Sequence, residues 1–435
     1  MIDRARFRAR GSPRVAIAAA MSALIGACTS GPLVARGPSA ASTIVWTELG
    51  PSGLIARAIT TDTTCPPMRV DDAVQAMQVR AWPAPPEFSI LVCEAPLAAS
   101  TRSASIDGRR LTLSNGTVRR IVVIGDAGCR IEGRQAQACN DPARWPFAEI
   151  ARRAAEWRPD LVVHVGDYVY REAPCPPGNT GCAGSPHGDG WESLKADLFA
   201  PATPLLAAAP WVFLRGNHEI CARGGAAWFR ILSPLPMPAR CVDYTDPYRI
   251  SLDGLDLIVL DSAISNDFEN PADQVAAYRG QFDTVRRLAT RESWLLAHKP
   301  IYVFGHLGVR DGVEQLFMGQ GVLQEASGND FPATIQLLMG GHVHLFESLS
   351  FGGGRPPQLV VGNSGTQLDP PITTPLAGLV IAGRPVADGL SLARFGFMTL
   401  RATEAGWQGV LRDVAGAPLV DCAIGGGRLE CRRVK

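Results

Sequence analysis

Five apolar runs in this chain each stop at a polar residue with metal-binding chemistry. That repeated ending constrains the fold more than any other feature. Residues 121–124 read Ile-Val-Val-Ile and run into Gly125-Asp126. Residues 161–165 run into Gly166-Asp167, and residues 211–214 lead to Gly216-Asn217-His218. Residues 294–296 precede His298, and residues 335–339 precede Gly341-His342-Val343-His344. Short continuous apolar runs suit strands buried on both faces. Between them, residues 146–157 carry Phe147, Ile150, Ala151 and Ala154 at helical spacing. Residues 194–206 and 274–290 also read as helical, and residues 257–260 and 359–361 as further buried strands. Strands alternating with helices predict a layered α/β architecture. In such sheets a site forms beyond the carboxyl ends of the strands. Packing alone gives no reason for five strand ends to deliver such residues to one rim.

The remaining segments are organised around that unit. Residues 43–117 read as a small β-rich domain, with short β-prone runs at 43–46, 74–79 and 88–92 between Pro and Gly. No catalytic constellation occurs there, and its expected role is to pack beside the catalytic domain, residues 118–400. Residues 397–400 and 407–411 predict a closing hairpin, so that 401–435 form a C-terminal hairpin and short tail packed on that domain. The stretches 175–190 and 305–331 read as long Gly-rich loops that wall the pocket.

The first 27 residues resemble a lipoprotein signal peptide. Arg4, Arg6, Arg8, Arg10 and Arg14 precede an apolar run at 15–27, which ends at Cys28. Lipid on Cys28 would attach the chain to a bacterial membrane without spanning it, with residues 28–42 as the tether. A plain secretory signal and an uncleaved anchor are the other readings. The expected location is periplasmic or cell-surface. Of eleven cysteines, setting aside Cys28 leaves ten, which fall in neighbouring couples. Five local disulfides are expected in an oxidising compartment: Cys65–Cys93, Cys129–Cys139, Cys175–Cys182, Cys221–Cys241 and Cys422–Cys431. A net charge of +1 argues against a general nucleic-acid partner.

Carboxylates, imidazoles and an amide together suit borderline or hard metal ions. Two such ions about 3.5–4 Å apart can clamp both oxygens of a phosphoryl displacement. Glycines before Asp126, Asp167, Asn217 and His342 are expected to let the backbone turn sharply and substrate approach. A lone Gly-Asp or His-x-His is weak. The ordered set GDxG, GDxxY, GNHE, a distal His and GHxH is specific.

That set resembles the calcineurin-like metallophosphoesterase superfamily. Gly125-Asp126-Ala127-Gly128 with Gly166-Asp167-Tyr168-Val169-Tyr170 is similar to its purple acid phosphatase branch, over about residues 119–400. The resemblance implies a four-layer α/β/β/α sandwich and a binuclear site. Asp126, Tyr170 and His344 would bind a ferric ion. Asn217, His298 and His342 would bind ferrous iron, zinc or manganese, and Asp167 would bridge both. It further implies hydrolysis of a phosphorylated small molecule by metal-activated hydroxide. Phosphate monoesters are the expected substrates. A phosphodiesterase or nucleotidase using the same site is the first alternative. A non-catalytic surface lipoprotein and a disulfide scaffold with incidental His residues are others.

Several neighbours are candidates of a second kind. His218 is placed to protonate the leaving alkoxide or bind phosphate, with Glu219 holding its ring. His306 matches substrate-contacting His residues of the family loosely in spacing. Arg215 is open between pairing a phosphate oxygen and a structural ion pair. Asp261 is open between supporting the site and capping. His164 reads as packing and His187 as surface.

Overall fold

Along the strand Arg120–Ile124, side chains alternate between two different cores. Ile121 and Val123 face one apolar cluster, Val122 and Ile124 another. In a strand with both faces buried an unpaired charge would lose its hydration, while each buried Val or Ile side chain contributes about 1.5–3 kcal/mol. This is why the run is continuously apolar. The computed structural model describes residues 43–114, 117–319 and 321–435.

Two large sheets face each other. One has eleven strands, and the other has eight. Parallel strands occupy the middle of both: Arg120–Ile124, Leu161–His164 and Trp211–Phe213 in the first, Asp256–Leu260, Ser293–Ala297, Ile335–Gly340 and Gln358–Val361 in the second. Ile121, Val163, Leu257, Trp294 and Leu337 belong to the cluster between them. The helix Phe147–Glu156 covers the far face of the first sheet through Phe147, Ile150, Ala151 and Ala154, the residues its spacing predicts. The helices Ala272–Leu288 and Gly321–Ser327 cover the second sheet against Ile258 and Leu295. The result is the α/β/β/α sandwich.

The N-terminal region is β-rich, and several of its strands join the first sheet. Ile44–Gly50 pairs in parallel with Trp211–Phe213, then Gly53–Thr60, Leu91–Leu97 and Gln78–Ala81 follow. Gly53–Thr60 was not expected from the sequence, because Arg57 interrupts its apolar pattern. At the other edge, Gly396–Thr403 and Gly406–Asp413 form the expected hairpin. The expected short tail is instead a further hairpin, Pro418–Gly425 and Arg428–Arg433. Val420, Cys422 and Ile424 point inward at period two.

One other expectation needs correction. Residues 305–331 are not simply a loop. They hold most of the hairpin Val303–Arg310 and Val313–Gly319, followed by a short helix. Its two-residue turn is Asp311-Gly312, both at positive φ (53° and 76°), the twist-matched hairpin turn. The segment 194–206 is largely helical, as expected, in consecutive pieces. It divides into Trp191–Leu194, a wider turn at Lys195–Phe199, and Thr203–Leu206.

All five cysteine couples are disulfide-bonded as the sequence predicts. Such a set belongs to an oxidising compartment. The signal, Cys28 and the tether lie outside the described residues. No helix among the described residues is long and apolar enough to cross a membrane.

Candidate metal centre

The strand ends converge. Tyr170 Oη lies 3.0 Å from Asp126 Oδ1, 2.8 Å from Asp167 Oδ2 and 3.0 Å from His344 Nε2. Asn217 Oδ1 lies 3.0 Å from His298 Nε2 and 2.8 Å from His342 Nδ1. The two groups meet at Asp167, whose Oδ1 is 3.3 Å from His298 Nε2. Asp167, His298 and His342 also bring ligand atoms within 4.8 Å of one another. The backbone N–H of His342 donates to the Asp126 carboxylate, tying the two sheets' strand ends together.

Holding these groups requires unusual backbone. Asp126, Asp167 and His342 all adopt positive φ (53°, 59° and 72°). Such strain costs of order 1–3 kcal/mol per residue and persists where the surroundings overdetermine it. The preceding glycines divide between the expected role and another. A Cβ on Gly216 would lie 2.0 Å from Asp167 Oδ1, and one on Gly341 would lie 2.4 Å from Asp126 Oδ2. They clear space for the carboxylates themselves. Gly166 alone of the four has positive φ (108°), the sharp turn expected, and its Cβ would also strike the His298 ring.

The electrostatics call for a cation. Burial and the neighbouring Asp167 push the Asp126 carboxyl well above its ordinary range. Burial, Asp126 and Asp167 do the same to the Tyr170 phenol. Burial opposes charge on Asp167 too, but His298 and His218 hold its carboxyl well below the usual range. Burial lowers His342 and brings His344 down to about 4, so both are neutral imidazoles near pH 7. The neutral ring is the form that binds metals. Carboxylate and phenol oxygens packed this closely need added positive charge to ionise together. The donor set fits two cations.

Surrounding groups aim the rings. His298 Nδ1 is 2.8 Å from the Val165 carbonyl, and His344 Nδ1 is 3.0 Å from the Gln367 carbonyl. Each contact places a proton on Nδ1 and turns Nε2 toward the centre. Asp267 Oδ1 lies 3.4 Å from His342 Nε2 and 2.7 Å from Lys299 Nζ.

Glu219 does not hold the His218 ring. Its carboxylate accepts backbone N–H bonds from Asp167, Tyr168, Val169 and Gly216, pinning two strand-end loops together. Glu172 instead lies 2.7 Å from His218 Nδ1, with Arg223 beside both. His218 Nε2 is 3.8 Å from Asp167 Oδ2, and the ring lines a cavity of about 260 Å³ with Glu172, Asp189 and Arg223. Asp197 fastens a third loop, accepting from the N–H groups of Cys129 and Tyr170 and from Arg171 Nε. Sequence reading missed Asp197, Glu172, Arg223 and Asp267. They sit in segments with no motif, and only folding brings them to the site.

Two candidates are engaged elsewhere. Arg215 is buried, with its guanidinium bonded to the Glu219 and Val242 carbonyls and to Asp261 Oδ2. It is the ion-pair partner of its two readings, and Asp261 is its counter-ion. His306 pairs across the 303–319 hairpin with Glu314, 2.9 Å away. His164 is buried and stacks on Tyr168, as expected for packing, and His187 is exposed.

Residues 119–346 match the family model of calcineurin-like phosphoesterases, a span that includes every candidate ligand. The chain belongs to that family. Hydrolysis of phosphoric esters at a dinuclear metal site is the chemistry that membership implies. No curated protein sequence matches. Among solved structures, the chain is similar in fold to a purple acid phosphatase from yellow lupin (Lupinus luteus) seeds. The TM-score is 0.57 at 14% identity, covering 87% of this chain and 73% of that one. It is also similar to a structure titled PhoD, with TM-score 0.53 at 10% identity, covering 89% and 91%.

Proposed function

We propose that this phosphoesterase is an exported, lipid-anchored hydrolase of phosphate monoesters. The observation that carries the hydrolase reading is the meeting of two donor groups at the single carboxylate of Asp167. Asp126, Tyr170 and His344 would hold one cation, Asn217, His298 and His342 the other, and Asp167 both. The anionic phenolate and carboxylates suit ferric iron in the first place, with ferrous iron, zinc or manganese in the second. Bound there, the pair supplies Lewis-acid stabilisation of charge on the phosphoryl oxygens and a hydroxide nucleophile.

The chain's own groups do the rest. Asp126, Asp167 and the neutral imidazoles are fixed before substrate arrives, so little reorganisation is needed. His218 Nε2 lies 3.8 Å from Asp167 Oδ2, where it can give a proton to the leaving oxygen. Glu172 beside Nδ1 orients the ring for that transfer. Monoester preference is tested by rates on phenyl phosphate and diphenyl phosphate. The monoester is expected to be faster, and faster diester cleavage would overturn the assignment.

Two variants test the assigned roles. His218→Ala is expected to lower turnover of an alkyl phosphate by about 10²–10⁴-fold, and that of p-nitrophenyl phosphate far less. Equal losses would remove His218 as the acid. Tyr170→Phe is expected to abolish the visible phenolate-to-iron absorption band while leaving the far-UV circular dichroism unchanged. A retained band would contradict a ferric site at Tyr170.

A further inference from the structure

An exposed Phe on a surface carries no meaning by itself. Phe268 is 78% exposed, but its setting is specific. It follows Asp267, whose carboxylate lies 3.4 Å from His342 Nε2, so its backbone is tied to the Asn217, His298 and His342 group. The turn that presents it is fixed: Asn266 Oδ1 accepts the backbone N–H bonds of Phe268 and Glu269.

The ring also has a built support. The Phe317 ring centroid is 5.2 Å from that of Phe268, at 54°. Phe317 folds back over its own hairpin, where a Cβ on Gly319 would lie 2.3 Å from its Cζ and one on Gly305 would lie 3.4 Å from its Cδ1. Gly319 clears the seat, and a Cβ at Gly305 would meet the ring only at ordinary contact distance. On its other side Phe317 packs against the cluster holding Val343, the residue between His342 and His344. Two elements distant in sequence thus build an aromatic pair, one member next to Asp267 at His342 and the other packed on the Val343 cluster, with Phe268 largely open to solvent.

We infer that Phe268, backed by Phe317, is a specificity-determining shelf that receives the aryl group of a phosphate ester. The occupant follows from continuity with the site. A phosphoryl group held between the metal ligands directs the remainder of its ester outward over the rim. An aromatic group there gains offset or edge-to-face contact with Phe268 and removes both apolar faces from water. A small alkyl group reaches neither. This shelf rests on the phosphoesterase reading above and deepens it.

The test is calorimetric binding of phenylphosphonate and methylphosphonate, which are not hydrolysed, to metal-loaded protein. Phe268→Ala is expected to weaken phenylphosphonate by roughly tenfold and leave methylphosphonate unchanged. Phe268→Trp is expected to restore the aryl preference. The exposed position leaves the fold intact, which thermal melting verifies. Equal effects of Phe268→Ala on both ligands, or none on either, would overturn the shelf while the metal-site reading stands. Failure of the wild-type protein to bind either phosphonate would overturn that reading and the shelf with it.

Discussion

Changing Asp167 to Asn is expected to reduce metal content from about two ions per chain and to lower turnover on the order of 10³-fold. That exceeds the roughly 10–100-fold typical of residues that only support ligands. The geometry says which ion is lost first. Asp167 Oδ1 accepts the backbone N–H of His218 at 2.9 Å, so the asparagine keeps its oxygen on that side. Its amide nitrogen must then replace Oδ2, the atom 2.8 Å from Tyr170 Oη. An N–H donor cannot ligate a cation, so the Asp126, Tyr170 and His344 group fails before the other. Elemental analysis with kcat measurement checks this, and near-UV circular dichroism confirms retained packing. A variant with full metal and full turnover would sink the bridging role.

The second large effect concerns stability. Arg57 is fully buried, with Nη2 2.9 Å from Glu48 and 3.2 Å from Glu94. It also donates to the Ile231 and Ser233 carbonyls. Arg80 adds bonds to the Phe229, Arg230 and Leu235 carbonyls and to Glu94. The N-terminal strands are thereby fastened to the segment downstream of His218. Burial pushes the Glu48 carboxyl up, opposed chiefly by Arg57. Arg57→Ala would leave Glu48 without its main partner and two carbonyls without donors. The expected cost is about 3–5 kcal/mol, since breaking a buried pair strands the other member. It would show as a lower denaturation midpoint with disulfides intact, while residual folded protein at low temperature keeps its turnover. An unchanged midpoint would mean that the pair contributes nothing net.

The parallel strands of the two sheets were legible because strands buried on both faces are largely apolar wherever no partner neutralises a charge. The candidate ligands were legible because each follows such a strand directly, so chain order alone sends them to one rim. The five disulfides followed from proximity along the chain. Where the pattern was broken, reading failed. Arg57 hid a strand because its charge is neutralised by Glu48, a partner on the neighbouring strand. Asp311-Gly312 was a hairpin signal lost among the glycines around it, one of which, Gly319, makes room for Phe317.

By itself, then, the sequence determined the strand ends, the candidate donors that follow them and the cysteine couples, all of which depend on neighbours along the chain. Only the tertiary structure decided that Glu219 pins loops while Glu172 meets His218, that Arg215 is held by Asp261, and that Phe268 leans on Phe317. A long side chain takes whichever partner lies across the fold, and its position along the chain does not specify that choice.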